Sequence, residues 1–264
     1  MISLPSYESP ILGLNFTIGD AAQVAAVIVS RRRLPEDGVG LVVTPNIDHI
    51  SRLQTDAAFR KAYSGAEIIT CDGFPVYYFA RLRHYPLTSG RVTGCDIVME
   101  TMRAPMLSLN HRLFFVVDGE ETAAAVHAFA RERGMDGAVA THVPAFGFEH
   151  DAAACQALAE AIRDHGTTIL FMGVGAPRSE IFIDRYATTL PPCWALCVGQ
   201  AVKMELGMVP TPPPIVKGAN LEWLWRILLE PRRLFKRYAL ASLGFVRAMV
   251  ADLTGNLRPI KVQK

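Results

Sequence analysis

Leu113-Phe-Phe-Val-Val117, Thr168-Ile-Leu-Phe-Met172 and Trp194-Ala-Leu-Cys-Val198 are three short apolar runs, and the segments before and between them alternate in a regular way. Residues 113–117 read as strand, 120–133 as helix, 138–142 as strand, 151–165 as helix, 168–172 as strand, 178–187 as helix and 194–198 as strand. Strands separated by helices of this length predict right-handed βαβ crossovers and a parallel sheet.

The same reading extends upstream with less regularity. Residues 11–16 are expected to form a strand, and Asp20 then caps a helix over 21–31. Residues 38–43 form the next strand, ending at Thr44-Pro-Asn-Ile-Asp-His49, where proline cannot extend the ladder. Asp56 opens a short helix over 57–63. Residues 66–70 form another strand, which delivers Cys71-Asp-Gly-Phe-Pro75 at its end. Arg91-Val-Thr-Gly-Cys-Asp96 starts a helix over 97–102, with Thr93 or Asp96 as its cap. Thr211-Pro-Pro-Pro214 is stiff and unsuited to helix or central strand. It divides an α/β body, residues 1–210, from an appendage, residues 211–264.

With 264 residues, half of them apolar and a fifth charged, the chain is expected to fold as about one to two globular domains. The net charge of +2 is unevenly placed. From Ala219 onward nine Lys/Arg face three Asp/Glu, so that stretch carries +6 and the remainder −4. The five cysteines are scattered, without close histidine pairs, and indicate neither a disulfide framework nor zinc. Residues 1–17 lack a basic segment followed by an apolar one, so no signal peptide is expected. No apolar run reaches the roughly 18 residues of a spanning helix.

In open parallel sheets ligands bind beyond the carboxyl ends of the strands. That places Thr44, Asn46, Asp72 and the loop Gly173-Val-Gly-Ala-Pro-Arg-Ser-Glu180 toward one crevice if their strands are neighbours. Asp72 can serve as a general base or as a turn aspartate bonded to backbone. Thr44 and Asn46 can meet a polyhydroxylated ligand or cap the turn after Pro45. Arg91, ahead of a helix N-terminus, can receive phosphate or stand in solvent. Gly173 and Gly175 admit close approach of a nucleotide, or serve helix packing; they do not form a dinucleotide fingerprint. The histidines show no metal spacing, and His49, near the crevice, is expected to be satisfied locally.

The appendage is basic and aromatic. If residues 221–229 are helical, Trp225, Leu228 and Leu229 share a face, with Arg226 and Glu230 directed elsewhere. Pro231 then begins a second helix. Its apolar stripe is Leu234, Tyr238, Ala241 and Phe245, flanked by Arg233, Lys236, Arg237 and Arg247. Such a pair can dock on the body, or meet phosphate or an anionic membrane surface.

Taken in order, Thr44-Pro-Asn46, Asp72-Gly73, Arg91-Val-Thr-Gly-Cys-Asp96, Gly173-Val-Gly-Ala-Pro-Arg-Ser-Glu180, Leu221-Glu-Trp-Leu-Trp-Arg226 and Glu230-Pro-Arg-Arg233 resemble the motifs of the WecG/TagA/CpsF glycosyltransferases, glycosyltransferase family 26. The similarity spans roughly residues 42–238. It implies an α/β, Rossmann-like parallel-sheet core of the GT-E type with a C-terminal helical membrane-binding appendage. The activity implied is inverting transfer of a hexose from a UDP-sugar to a polyprenyl-diphosphate-linked saccharide, at the cytoplasmic face of the bacterial plasma membrane. By the same resemblance Asp72 is the general base, and Thr44 and Asn46 line its pocket. Arg91, Arg226, Arg233 and Arg237 attend the diphosphate. No Asp-x-Asp motif is present, so neither metal nor other cofactor is expected, and no nucleic acid partner.

Two departures bear on specificity. The family commonly carries Lys-Gln-Glu where this chain has Arg178-Ser179-Glu180, and Gly-Gly-Ala-Phe-Asp where it has Gly199-Gln200-Ala-Val-Lys203. Both lie near the expected donor crevice. They point away from N-acetylmannosamine and its uronate toward glucose, as in xanthan- or acetan-type exopolysaccharide assembly, with Arg178 and Gln200 as donor contacts. The alternatives within the family are the two N-acetylmannosamine-type transferases. Outside it stand a nicotinamide-dependent oxidoreductase using Gly173 and Gly175, and a non-catalytic membrane-surface binding protein.

Overall fold

The computed structural model describes residues 4–260 apart from 8, 31, 88–89, 211–212, 214, 217–224 and 226–230, with backbone alone for 108–109 and 231–238. Its strands are β1 (Gly40–Val43), β2 (Ala66–Ile69), β3 (Leu113–Val116), β4 (Val139–His142), β5 (Ile169–Met172) and β6 (Trp194–Cys197). They form one sheet in the order β2-β1-β6-β5-β3-β4, every pairing parallel. The α/β, Rossmann-like expectation therefore holds.

Both faces of the sheet are covered, which is why its strands are apolar at successive positions. Leu41 and Val43 point into one core and Val42 into the other; Phe114 and Val116 oppose Leu113 and Phe115 in the same way. Phe115 and Phe171 stack with ring centroids 4.5 Å apart, locking the central register.

In chain order the helices are α1 (Ala21–Ser30), α2 (Ile47–Arg52), α3 (Ala57–Ser64), α4 (Phe74–Leu82), α5 (Gly94–Arg103) and α6 (Leu107–Asn110). There follow α7 (Glu120–Glu132), α8 (Ala152–Asp164), α9 (Arg178–Tyr186), α10 (Ala201–Glu205) and the long C-terminal helix Pro231–Leu253. Residues of α2, α3, α4, α8, α9 and the C-terminal helix build the first core. Those of α1, α5, α6, α7 and α10 build the second.

Residues 11–16 form no strand, contrary to the sequence expectation. Ile11 and Leu14 close a tight turn by mutual backbone hydrogen bonds of 2.9 Å, with Leu12 at φ 52° and Gly13 at φ 79°. The segment instead covers the edge of β2. Thr17 donates its N–H to the Ile69 carbonyl at 2.8 Å, and its hydroxyl oxygen accepts from the Ile69 N–H at 3.0 Å. An open sheet edge is thereby closed. The helices α2 and α4 were not legible as periodic segments, since six and nine residues give too few turns.

The expected first appendage helix, residues 221–229, lies outside the described residues except for Trp225. The second is present from Pro231 and is docked. Ala241, Phe245 and Ala248 are buried against α2, and Gly244 abuts Ser51. Asp252 fastens its end, accepting from the Leu12 N–H at 2.9 Å and pairing with Arg83 at 2.6 Å. The opposite face, Leu240, Leu243, Val246, Val250 and Leu253, is apolar and exposed. Among the described residues no helix is long and apolar enough to cross a membrane.

Candidate functional site

The sheet order makes the carboxyl ends of β2, β1, β6 and β5 consecutive neighbours. The chain leaves β1 for α2 on one face and leaves β6 for α10 on the other, so the loops after these adjacent strands diverge. A crevice opens where connections reverse side. Thr44 follows β1, Asp72 follows β2, Gly173 and Gly175 follow β5, and Gln200 follows β6.

Three contacts knit these loops together. Gly94, the first residue of α5, donates its N–H to Asp72 Oδ2 at 3.3 Å. A β-carbon on Gly94 would lie 3.2 Å from Thr44 Oγ1 and 3.6 Å from Val198 Cβ, so the N-terminus of α5 sits against the ends of β1 and β6. A β-carbon on Gly73 would lie 3.0 Å from Asn46 Cα, which brings the Asp72 loop onto the start of α2. A carboxylate at a helix N-terminus is held by the unpaired amides and by the helix dipole.

Thr93 is the cap of α5, and Asp96 answers it in a reciprocal box. The Asp96 N–H donates to Thr93 Oγ1 at 3.1 Å, while Asp96 Oδ2 accepts from the Thr93 N–H at 3.0 Å. Arg91 stands just upstream, half-buried, where its charge offsets the upward pressure that burial and Asp72 exert on the Cys71 thiol. Val92 ties this segment to β2 through the Cys71 carbonyl, 3.0 Å from its N–H.

Asn46 is the cap of α2. Its Oδ1 accepts from the Asp48 N–H at 3.0 Å and the His49 N–H at 3.5 Å. The three loop glycines answer different demands. Gly173 is fixed by packing, since a β-carbon there would meet the Val116 carbonyl oxygen at 2.9 Å. Gly175 and Gly199 adopt φ of 81° and 53°, which favours glycine. Arg178 turns its guanidinium to the Val174 carbonyl at 2.6 Å and approaches Glu149 at 3.9 Å. Lys203 spans from α10 to Asp118 beyond β3, within 2.8 Å of both its carboxylate oxygens.

The sequence pattern assigns Glu180 no role of its own. It is 1 % exposed, its Oε1 lies 3.7 Å from His49 Nε2, and its Oε2 has no hydrogen-bond partner among the described residues. It is the third residue of α9, a first-turn position where acidic side chains are ordinary, so the sequence carries no signal of its burial. Arg226 lies outside the described residues; Arg233 and Arg237 lie on the C-terminal helix, with side chains outside them. Among the described residues no three His, Cys, Asp or Glu side chains form a metal-holding group.

The arrangement brings a carboxylate, a hydroxyl, a side-chain amide and a helix N-terminus together at the carboxyl ends of adjacent strands. Over residues 9–258 the chain matches the family described as "Glycosyl transferase WecG/TagA/CpsF family", and it belongs to that family.

Proposed function

We propose that this glycosyltransferase moves a hexose, with glucose preferred, from a UDP-sugar to a polyprenyl-diphosphate-linked saccharide, with inversion at the anomeric carbon and Asp72 as general base. In the step itself, Asp72 takes the proton of the acceptor hydroxyl as that oxygen bonds to the anomeric carbon. The bond from that carbon to UDP breaks, and UDP leaves with the electron pair. Negative charge then grows on the diphosphate, where Arg91 and the appendage cations Arg226, Arg233 and Arg237 are proposed to receive it.

The observation that supports this reading is the packing of the Asp72 loop: its carboxylate accepts from the first amide of α5, Gly94 abuts Thr44, and Gly73 abuts Asn46. One of its oxygens is oriented by that N–H at the N-terminus of α5. In this reading Gln200 and Arg178 are donor contacts. The exposed apolar face of the C-terminal helix supports attachment to a bilayer surface, the inner face of the plasma membrane in this reading.

The test is a panel of UDP-sugars with a polyprenyl-diphosphate glucose acceptor. UDP, and not NAD, should raise the melting temperature, and Asp72→Asn should lower turnover about 10²–10⁴-fold while UDP still binds. Full activity in that variant would remove Asp72 from the role of base. Protection by NAD alone would favour the oxidoreductase instead.

A further inference from the structure

Helix α4 starts next to Asp72 and carries an apolar face that covers no core. Asp72 and the cap Gly73 lead straight into Phe74, its first residue. Val76, Phe79 and Ala80 are buried and hold the helix to the body. Phe74, Tyr78 and Leu82, four residues apart, share another side of the helix. The rings of Phe74 and Tyr78 meet there with centroids 4.7 Å apart. Tyr78 is 56 % exposed and Leu82 70 %. Of the helices α1–α10, α4 alone exposes large apolar side chains among the described residues.

The C-terminal helix has the other such face, from Leu240 to Leu253. These two helices are tied together, because Arg83, which ends α4, pairs with Asp252 at 2.6 Å. The stripe on α4 therefore runs from beside Asp72 to the helix whose outer face is read as lying on the bilayer. Nine residues make that path about 12 Å long at 1.5 Å per residue. Apolar surface left in water marks a binding face. Its setting selects the occupant. A lipid-linked acceptor must bring its sugar hydroxyl to the base while its chain stays in the membrane, and α4 connects those two places.

We propose that Phe74, Tyr78 and Leu82 seat the isoprene units next to the diphosphate of the acceptor, so that the polyprenyl chain lies along α4 with its sugar end at Asp72. The inference rests on the sugar-transfer reading of the crevice. It separates two tasks: the C-terminal helix holds the protein on the bilayer, and α4 receives the acceptor drawn from it.

The first test compares two glucose acceptors in the UDP-sugar transfer assay, one on a polyprenyl diphosphate and one on ethyl diphosphate. Tyr78→Gln with Leu82→Gln should reduce the ratio of their kcat/KM values about tenfold, the scale of one large apolar side chain returned to water. A merely structural effect would lower both values alike. An unchanged ratio overturns the proposal; loss of vesicle binding would then assign α4 to the anchor, and loss of a dimer would assign it to a second copy. The second test is photolabelling of the wild-type chain in detergent micelles by a polyprenyl diphosphate with a diazirine beside the diphosphate. Label is expected in the tryptic peptide Ala62–Arg81, displaced by unlabelled polyprenyl diphosphate and not by phosphatidylcholine. Label confined to the C-terminal helix, or displaced equally by phosphatidylcholine, overturns the seat. Labelling needs no turnover, so a chain inactive with every UDP-sugar would sink the sugar-transfer reading while the label still decides the seat.

Discussion

Gly244 lies so close to Ser51 that a β-carbon on it would fall 1.8 Å from Ser51 Oγ and 2.7 Å from Ser51 Cβ. Ser51 sits near the end of α2, the helix that Asn46 begins at the crevice. The C-terminal helix is thus seated directly on an element of the candidate site.

Gly244→Ala should therefore destabilise the protein although alanine favours helix. The helix gains about 1 kcal/mol from the exchange, and overpacking against Ser51 costs about 1–3 kcal/mol. Ser51→Gly in the same chain should recover the loss. Urea unfolding of the two variants measures both; an unchanged midpoint in Gly244→Ala would mean that the two helices separate without penalty.

A methyl group at Gly94 should impair the site more than the fold. Its backbone is compatible with alanine, but the new carbon presses on Thr44 Oγ1 at 3.2 Å. About 1 kcal/mol of overpacking corresponds to roughly fivefold weaker UDP binding, with little change in melting temperature. Titration calorimetry with UDP checks it, and unaltered affinity would remove Thr44 from the donor pocket.

Stability should fall on acidification below neutral pH. Burial pushes His111, His142 and His165 below the ordinary histidine value, and Arg112 adds to the effect at His165. The unfolded chain then takes up protons at about pH 6.5, before the folded chain does. Their contribution is complete above that pH and is lost as pH falls through the lowered folded values. His111 is 3 % exposed, held by Thr168 Oγ1 at 3.0 Å and the Val29 carbonyl at 3.2 Å. Urea midpoints at pH 7.5 and 5.5 should differ in the expected direction, and a His111→Gln variant should show a shallower pH dependence.

The exposed face of the C-terminal helix should be separable from the crevice. Leu240→Ser, Leu243→Ser and Val250→Ser together remove apolar surface that touches no core, so folding and UDP affinity are expected to persist. Binding to vesicles containing anionic lipid should drop severalfold in a sedimentation assay. Undiminished binding would assign attachment to another part of the chain.

The apolar runs and the helical stretches between them determined the parallel α/β sheet from sequence alone, because a strand buried on both faces must be apolar and a crossover needs a helix. The ordered motifs likewise placed Thr44, Asn46, Asp72 and the glycine loop at strand ends. Sequence left open which strands are neighbours, and the order β2-β1-β6-β5-β3-β4 is what sets those ends side by side. Residues 11–16 were misread because a β-rich segment becomes a strand only if a partner ladder reaches it; here the chain turns at Leu12 and Gly13 instead. Glu180 was legible as a letter and not as a buried group, since burial is decided by the elements packed around it. The tertiary structure alone decided that His49, from α2, stands between Glu180 and Asn46, because distances between segments far apart in sequence follow from packing and not from local pattern.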